Sequence, residues 1–362
     1  IVSRDWSSDV CSSDLFNIVA LLIGITYGVL AQLKQFCFSG GIKDLILFKH
    51  TRRTASLIVA IAIAIFSTQA VSFIFDINLT NTRYFSNVNY IFIIMGGLLF
   101  GYGMMVSDGC SSRHIIKTAQ GDKHSALILL VLGIFAYLTY LLFRYYGENI
   151  YTSKIVASTT ISDIYIISPF IIAPLLLGLL FITLRKCMNF LQVLDGAAIG
   201  LLISFVWYIT YYLKGNYFTE IKLQSLSFVY PLGKITQFTY SGFNTDYLIF
   251  SVFIVFGVFI GAFISSLFNK QYSKKFMCDS SQQNPPSLIQ KLIGGAAMGV
   301  GGVFAMGCTV GQGLSGLSTL SSISLLAIIS IYTSAYITAK HLHKNNALIA
   351  CFVFDFKCRG KD

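Results

Sequence analysis

Two glycine-rich apolar stretches end in the same Gly-Cys pair, and their cysteines are the residues best placed to do chemistry. Residues 294–317 read GGAAMGVGGVFAMGCTVGQGLSGL, and residues 96–110 read GGLLFGYGMMVSDGC. A shift of 198 residues superposes five glycines and one cysteine within fifteen positions, and small polar residues follow both Cys110 and Cys308. Two pairs of glycines fit the small-xxx-small pattern of packed membrane helices: Gly97 with Gly101, and Gly295 with Gly299.

A third cysteine, Cys37, lies in the related motif QFCFSGG. A single cysteine in an apolar segment is usually a small buried hydrophobe, so the repetition of the pattern is what favours a function. A thiol is soft, polarizable and a weak donor, and it therefore suits a ligand that carries sulfur better than a hard oxyanion. Burial in apolar surroundings keeps a thiol neutral, and a neutral thiol does not repel an anion.

The composition around these cysteines is that of an integral membrane protein. The 362 residues are 55% hydrophobic and 11% charged, with a mean hydropathy of +0.71, whereas soluble domains carry roughly 25% charge. The net charge of +11 is explained by Lys and Arg in cytoplasmic loops, and we predict no nucleic-acid partner. The eight cysteines have no tight metal-binding spacing, so no metal and no cofactor are predicted.

The length of the apolar runs predicts an all-α protein with about nine transmembrane helices. The stretches after the three cysteines, 38–48, 111–120 and 309–317, are predicted as short re-entrant helices, and residues 217–240 are a candidate for a fourth. Irregular backbone at membrane depth has to be buried in protein or line a cavity. The nine predicted spans are 15–36, 54–76, 88–107, 124–146, 165–185, 192–213, 246–269, 291–307 and 321–341.

The distribution of basic residues predicts the orientation of these spans. Loops on one side contain 19 of the 26 Lys and Arg residues, which puts the N-terminus outside and the C-terminus in the cytoplasm. The third and eighth spans then run in opposite directions, as in an inverted-topology repeat. We predict two inverted-repeat halves, approximately 15–160 and 190–345, joined by a linker helix at 165–185.

These halves form one predicted transmembrane transporter domain, residues 15–345. The first fourteen residues, IVSRDWSSDVCSSD, resemble a translated sequencing adapter, and we treat 1–14 as a non-native leader. Residues 346–362 are a C-terminal tail.

A helix that begins in mid-membrane directs its free N–H groups and its positive dipole end at whatever lies there, which favours an anion. Cys110 and Cys308 would stand at two such helix starts and face a central path from opposite directions. The predicted path residues are Cys37, Cys110, Cys308, Ser111, Ser112, Thr309, Gly109, Gly307 and Gln312.

Four polar residues beside the cysteines allow more than one interpretation. Arg113 could draw an anion inward, or it could be an ordinary loop arginine that follows the positive-inside rule. His114 is interpreted as a surface loop histidine. Asp108 would repel an anion unless it is protonated or paired, and Gln312 could donate to a ligand or cap its short helix.

The three cysteine motifs resemble those of the YeeE/YedE family of thiosulfate uptake transporters. They are QFCFSGG at Cys37, DGCSSR at Cys110 and MGCTVGQGLSG at Cys308, and the resemblance covers about residues 15–345. It implies nine transmembrane helices, short intramembrane helices, and an hourglass-shaped path in a bacterial inner membrane. It also implies that thiosulfate passes between the thiols through S–H to sulfur hydrogen bonds, and that a small TusA-like sulfurtransferase is a cytoplasmic partner.

The sequence therefore favours a thiosulfate importer over an enzyme, with two alternatives. In one, Cys110 or Cys308 takes up sulfur as a persulfide in a membrane sulfurtransferase. That chemistry requires a nearby base, and neither Gly-Cys core contains His or Lys. In the other, the same path carries another small sulfur or selenium species, because any soft anion fits the same description.

Overall fold

The computed structural model describes residues 6–47, 52–85, 89–151, 178, 194–217, 223–272 and 286–348. These ranges are mainly helical and contain no strand, apart from an isolated bridge between Thr82 and Leu223. The predicted all-α class is confirmed.

The helices of the described ranges divide into long and short ones. The long ones are α1 (Trp6–Leu33), α3 (Arg52–Ile74), α4 (Tyr90–Val106), α6 (Lys123–Tyr151), α7 (Leu194–Tyr217), α9 (Phe250–Phe268), α10 (Leu288–Phe304) and α11 (Ser322–Lys344). The short ones are α2 (Phe38–Leu47), α5 (Ser111–Ala119), α8 (Val229–Tyr240) and a π-helical turn at Gly311–Gly316, hereafter the π segment.

Large apolar side chains on the outer surface identify a multi-pass membrane protein. Phe73, Tyr145 and Phe268 are each more than 80% exposed, which a water-soluble fold would avoid. Seven helical segments in the described part are long and apolar enough to cross a membrane. Eight of the nine predicted spans contain a long helix, although α4 and α10 have only 17 residues each. The ninth, at 165–185, lies outside the described residues except for Gly178.

The short helices coincide with the predicted re-entrant segments. Nearly all of α5 and every residue of the π segment are buried, as required of backbone that enters the membrane without crossing it. α2 likewise begins with six consecutive buried residues. The fourth candidate stretch is partly correct, because its helix begins only at Val229.

Glycines allow the long helices to touch through their backbones. A Cβ atom at Gly101 of α4 would overlap the carbonyl oxygen of Ile331 in α11, and one at Gly299 of α10 would lie 2.5 Å from that of Leu132 in α6. These two glycines are related by the shift of 198 residues, and each packs on the last long helix described in the other half. The packing interpretation of the glycines is confirmed at both positions.

The contacts between helices come in exchanged pairs. α4 packs on α10, the contact of α4 with α11 is matched by that of α10 with α6, and the contact of α1 with α9 is matched by that of α3 with α7. The short helices show the same exchange, since α2 contacts α11 and α8 contacts α6. A two-fold relation between the helices α1–α6 and the helices from α7 onward produces this pattern of contacts.

Candidate functional site

Each of the three predicted cysteines occupies the position just before a short helical stretch, which after Cys308 begins at residue 309 and continues into the π segment. The carbonyl of Cys37 accepts from the Gly41 N–H at 3.2 Å, and those of Cys110 and Cys308 accept from the residues four positions later at 3.0 and 2.8 Å. All three cysteines are therefore N-caps. The three are buried free thiols.

A left-handed residue sets up each of these helix starts. It lies two positions before the cysteine, and φ is 55° at Gln35, 66° at Asp108 and 56° at Met306. Non-glycine residues adopt this conformation rarely, and often where a chain reverses or a site is built. The same turn, repeated three times, ends a long helix and starts a short one inside the protein.

The thiols point toward the positive ends of their short helices. The Gly40 N–H donates to the Cys37 sulfur and the Gly311 N–H to the Cys308 sulfur, both at 3.3 Å. The Cys110 sulfur lies 3.3 Å from the Ser112 hydroxyl. At such a position the positive field of the free N–H groups acts on the sulfur atom and also on any anion beside it.

The fold brings the three cysteines around one buried tyrosine. Tyr27 of α1 is 1% exposed, lies beside Ser112, and is close enough to Cys37, Cys110 and Cys308 to interact electrostatically with each. The thiols of Cys37 and Cys110 are also close enough to interact with each other.

Two further buried tyrosines flank the thiols. Tyr332 of α11 is near Cys37 and Cys110, and Tyr84 is near Cys308. The sequence alone does not predict a role for Tyr27, Tyr84 and Tyr332, because nothing local distinguishes them among 20 tyrosines.

The hydroxyl groups of Ser111 and Thr309 are buried without a hydrogen-bond partner among the described residues. Both residues are 0% exposed, and both directly follow a path cysteine at positions related by the shift of 198. An unsatisfied buried hydroxyl costs about 1–3 kcal/mol. Two such groups at equivalent helix starts are donors that a bound anion could use.

The glycines before the cysteines keep the turns close to the short helices. A Cβ atom at Gly109 would lie 3.2 Å from the side chain of Arg113, and one at Gly307 would lie 3.1 Å from that of Gln312. Their N–H groups bond to Met104 and Gly302 carbonyls at 3.0 and 2.8 Å. Neither glycine has a positive φ, so each acts by leaving room for the neighbouring side chain.

Gln312 and His114 brace the two turns from equivalent positions. The Gln312 amide donates to the Ala305 carbonyl at 2.6 Å and accepts from the Ser324 hydroxyl at 2.6 Å. Both ends of the predicted substrate donor are thus engaged with the protein, at the end of α10 and in α11.

His114 makes the corresponding contacts in the first copy. Its Nδ1 lies 3.0 Å from the Ser125 hydroxyl and its Nε2 lies 3.4 Å from the Ser107 hydroxyl. The surface interpretation of His114 was wrong, because the side chain is fully buried. Position alone misled here: a polar residue after a long apolar run resembles a loop, and the re-entrant helix carries it inward.

Asp108 is paired in the structure. Its carboxylate accepts from Lys43 of α2 and from Lys117 of α5, and all three residues are less than 9% exposed. Buried charges that lose their partner cost about 3–5 kcal/mol, so this cluster ties the helices that carry Cys37 and Cys110 to each other. Arg113 is also buried, near Cys37 and Cys110; the loop interpretation of this arginine does not apply.

The sequence that forms these helix starts matches the model of a protein family. The model of the sulphur transport family matches residues 34–337. The chain belongs to the sulphur transport family. The matched range contains the three cysteines and all the short helices, so the family resemblance drawn from the motifs, and the prediction of a transporter, are confirmed.

Named relatives extend the comparison. The chain is 23% identical to the thiosulfate transporter TsuA of Escherichia coli K12, over 81% of this chain and 85% of that protein. It is 25% identical to the thiosulfate transporter TsuA of Spirochaeta thermophila, over 82% and 90% of the two chains. A shorter match, 24% identical over 29% of this chain and 25% of that protein, is to the probable transporter YedE of E. coli.

Proposed function

We propose that this protein imports thiosulfate through a path lined by Cys308, Cys110 and Cys37. The observation that carries the proposal is the helix start repeated at Cys110 and Cys308, where a buried free thiol is followed by a buried hydroxyl that lacks a partner among the described residues. The choice of thiosulfate as the substrate comes from the two relatives that are named as thiosulfate transporters.

Thiosulfate is a dianion, and an uncompensated charge inside a membrane protein is prohibitively costly. Ser111 and Thr309 would donate to its oxygens, and the N–H groups at the starts of α5 and the π segment would add their dipoles. A thiol at the same place gives a weak hydrogen bond to the terminal sulfur. Weak, repeated contacts let an ion move from one site to the next, as transport requires.

The proposed membrane is the bacterial inner membrane, with the N-terminus outside and the C-terminus in the cytoplasm. The two halves would be inverted repeats, so that Cys308 lies toward the outer side and Cys37 toward the inner side. A small TusA-like sulfurtransferase in the cytoplasm would accept the sulfur after entry. The basic residues on the proposed inner side support this orientation.

The test is uptake of doubly labelled thiosulfate, with a different isotope on each sulfur, by proteoliposomes that contain the full chain. We expect both labels inside in equal amounts. Cys110→Ala and Cys308→Ala should each lower the uptake at least tenfold while membrane expression stays normal.

Other outcomes would assign a different activity. If one label enters while labelled sulfite stays outside, the protein is a persulfide-forming sulfurtransferase. If thiosulfate is not taken up at all, uptake measured directly with other labelled sulfur and selenium anions would identify the cargo. Full uptake by both alanine variants would refute the role of the thiols.

A further inference from the structure

A cavity at the protein surface ends on Cys37. It is narrow: its empty space of about 190 Å³ includes open solvent at the mouth, and its walls leave no room for a water molecule. The lining includes Cys37, Lys34, Arg52, Arg53 and Asp195. Cys37 is 6% exposed, whereas Cys110 and Cys308 are at most 1% exposed. Because Cys37 also lies next to Cys110, it is the thiol that separates the buried path from this opening.

The lining of the cavity is cationic. Lys34 is exposed, Arg52 is half-buried and Arg53 is buried, and they outnumber the single acid of the lining, Asp195. Arg53 also pairs with Asp44, which lies 3.4 Å from its Nε. Concave surfaces with charges of one sign focus the electrostatic field and raise the local concentration of opposite charges.

The charge around the path is uneven between the two copies. Near Cys110 the first copy has Arg113 and Lys117. The shift of 198 residues replaces these with Gly311 and Ser315 beside Cys308, and the Ser315 hydroxyl donates to the Leu226 carbonyl at 3.0 Å. The positive charge therefore increases from Cys308 toward Cys37 and its cavity.

We propose that Lys34, Arg52 and Arg53 form an anion-binding release site, which takes the anion from Cys37 before it leaves the protein. The inference rests on the proposed function for the identity of its anion, and on the predicted orientation for the cytoplasmic position of the cavity. The positive charges of the cavity would lower the free energy of the dianion at the point where its hydrogen bonds to protein donors are replaced by hydrogen bonds to water.

The test compares how fast Cys37 reacts with an anionic and a cationic thiol reagent. Inside-out membrane vesicles with the full chain are treated with sulfonatoethyl or trimethylammonioethyl methanethiosulfonate. Modification of Cys37 is measured by peptide mass spectrometry, so no cysteine has to be replaced. We expect the anionic reagent to react at least ~10-fold faster, a typical size for electrostatic focusing.

The double variant Arg52→Gln/Arg53→Gln should lose most of this preference. The matched control is Lys340→Gln/Lys344→Gln, which removes two charges from exposed residues at the end of α11 and should keep it. An unchanged ratio in the arginine variant would overturn the release site, as would modification of Cys37 only in right-side-out vesicles.

Thiosulfate uptake by the same preparations separates this inference from the proposed function. With thiosulfate as substrate, the arginine variant should transport more slowly than the lysine control. If wild-type vesicles take up no thiosulfate but retain the preference of Cys37 for the anionic reagent, the release site stands and serves another anion. If wild-type vesicles transport thiosulfate without any preference at Cys37, the proposed function stands and the release site fails.

Discussion

Three cysteines occupy the same place in three turns, and their neighbours decide what each thiol can do. Cys37 and Cys308 accept a backbone N–H, while Cys110 lies beside Ser112. The hydrogen bonds of these thiols join them to hydroxyls, to backbone N–H groups and, between Cys37 and Cys110, to each other. The residues that follow, Ser111 and Thr309, offer the donors that remain.

Replacement of Ser111 and Thr309 by alanine should weaken substrate binding and leave the fold intact. A hydrogen bond to a charged group contributes about 1.5–3 kcal/mol, so the KM for thiosulfate should rise roughly 10- to 100-fold in each variant. Thermal stability should stay the same or rise, because a buried unsatisfied hydroxyl is removed. Thr309→Ser keeps the donor and should retain the wild-type KM.

Ser251→Ala is the matched control for these variants. Ser251 has the same burial and likewise lacks a partner among the described residues, but it adjoins Phe250, which packs against Phe16. Phe16 lies about 16 Å along α1 from Tyr27. Kinetic measurements that find the same KM for Ser111→Ala, Thr309→Ala and Ser251→Ala would rule out a role for the two hydroxyls.

At the scale of elements, backbone contacts between glycine-bearing helices hold the short helices in place. α4 and α10 each end two residues before a left-handed turn, so a shift of either helix moves a cysteine. Gly101 and Gly299 fix these helices against α11 and α6. Close backbone approach replaces the hydrophobic effect, which is weak between helices in lipid.

Gly101→Ala and Gly299→Ala should each destabilise the protein by about 1–3 kcal/mol, as overpacking does. The added methyl group would collide with a backbone carbonyl, which cannot rotate away. Gly233→Ala is the control, since its Cβ would meet only ordinary contacts, the nearest at 3.5 Å. In α8 the alanine should be neutral or slightly stabilising. The melting temperature of the detergent-solubilised protein distinguishes the two classes, and equal melting temperatures would contradict this account.

At the scale of the molecule, periodic features were predictable from the sequence and single long-range partners were not. Apolar length located the spans, and the Gly-Cys junctions located the starts of α5 and the π segment. Lys43 and Asp108 are 65 residues apart, and no local pattern marks them as a pair. Tyr27 lies near the thiols only because α1 packs against α9, a contact between distant parts of the sequence. His114 was misassigned because polarity in a short segment normally indicates exposure.

The two copies also predict which substitutions each will accept. Gln312 and His114 occupy equivalent positions and connect the turn before a cysteine to the following long helix. The Ser125 hydroxyl donates to Asp122 at 2.6 Å, so its oxygen can accept a hydrogen bond from Nδ1 of His114. The amide of a glutamine can donate to the same oxygen and can also reach Ser107.

His114→Gln should therefore keep the melting temperature and the uptake close to those of the wild type. His114→Leu has a similar volume but cannot form either hydrogen bond. It should lower stability by about 1–3 kcal/mol, because two buried hydrogen bonds of about 0.5–1.5 kcal/mol each are lost. Calorimetry on both variants, with uptake as a second readout, measures the difference. If glutamine is as damaging as leucine at this position, the imidazole has a role of its own. His114 and Gln312 then do not do the same structural job in the two copies.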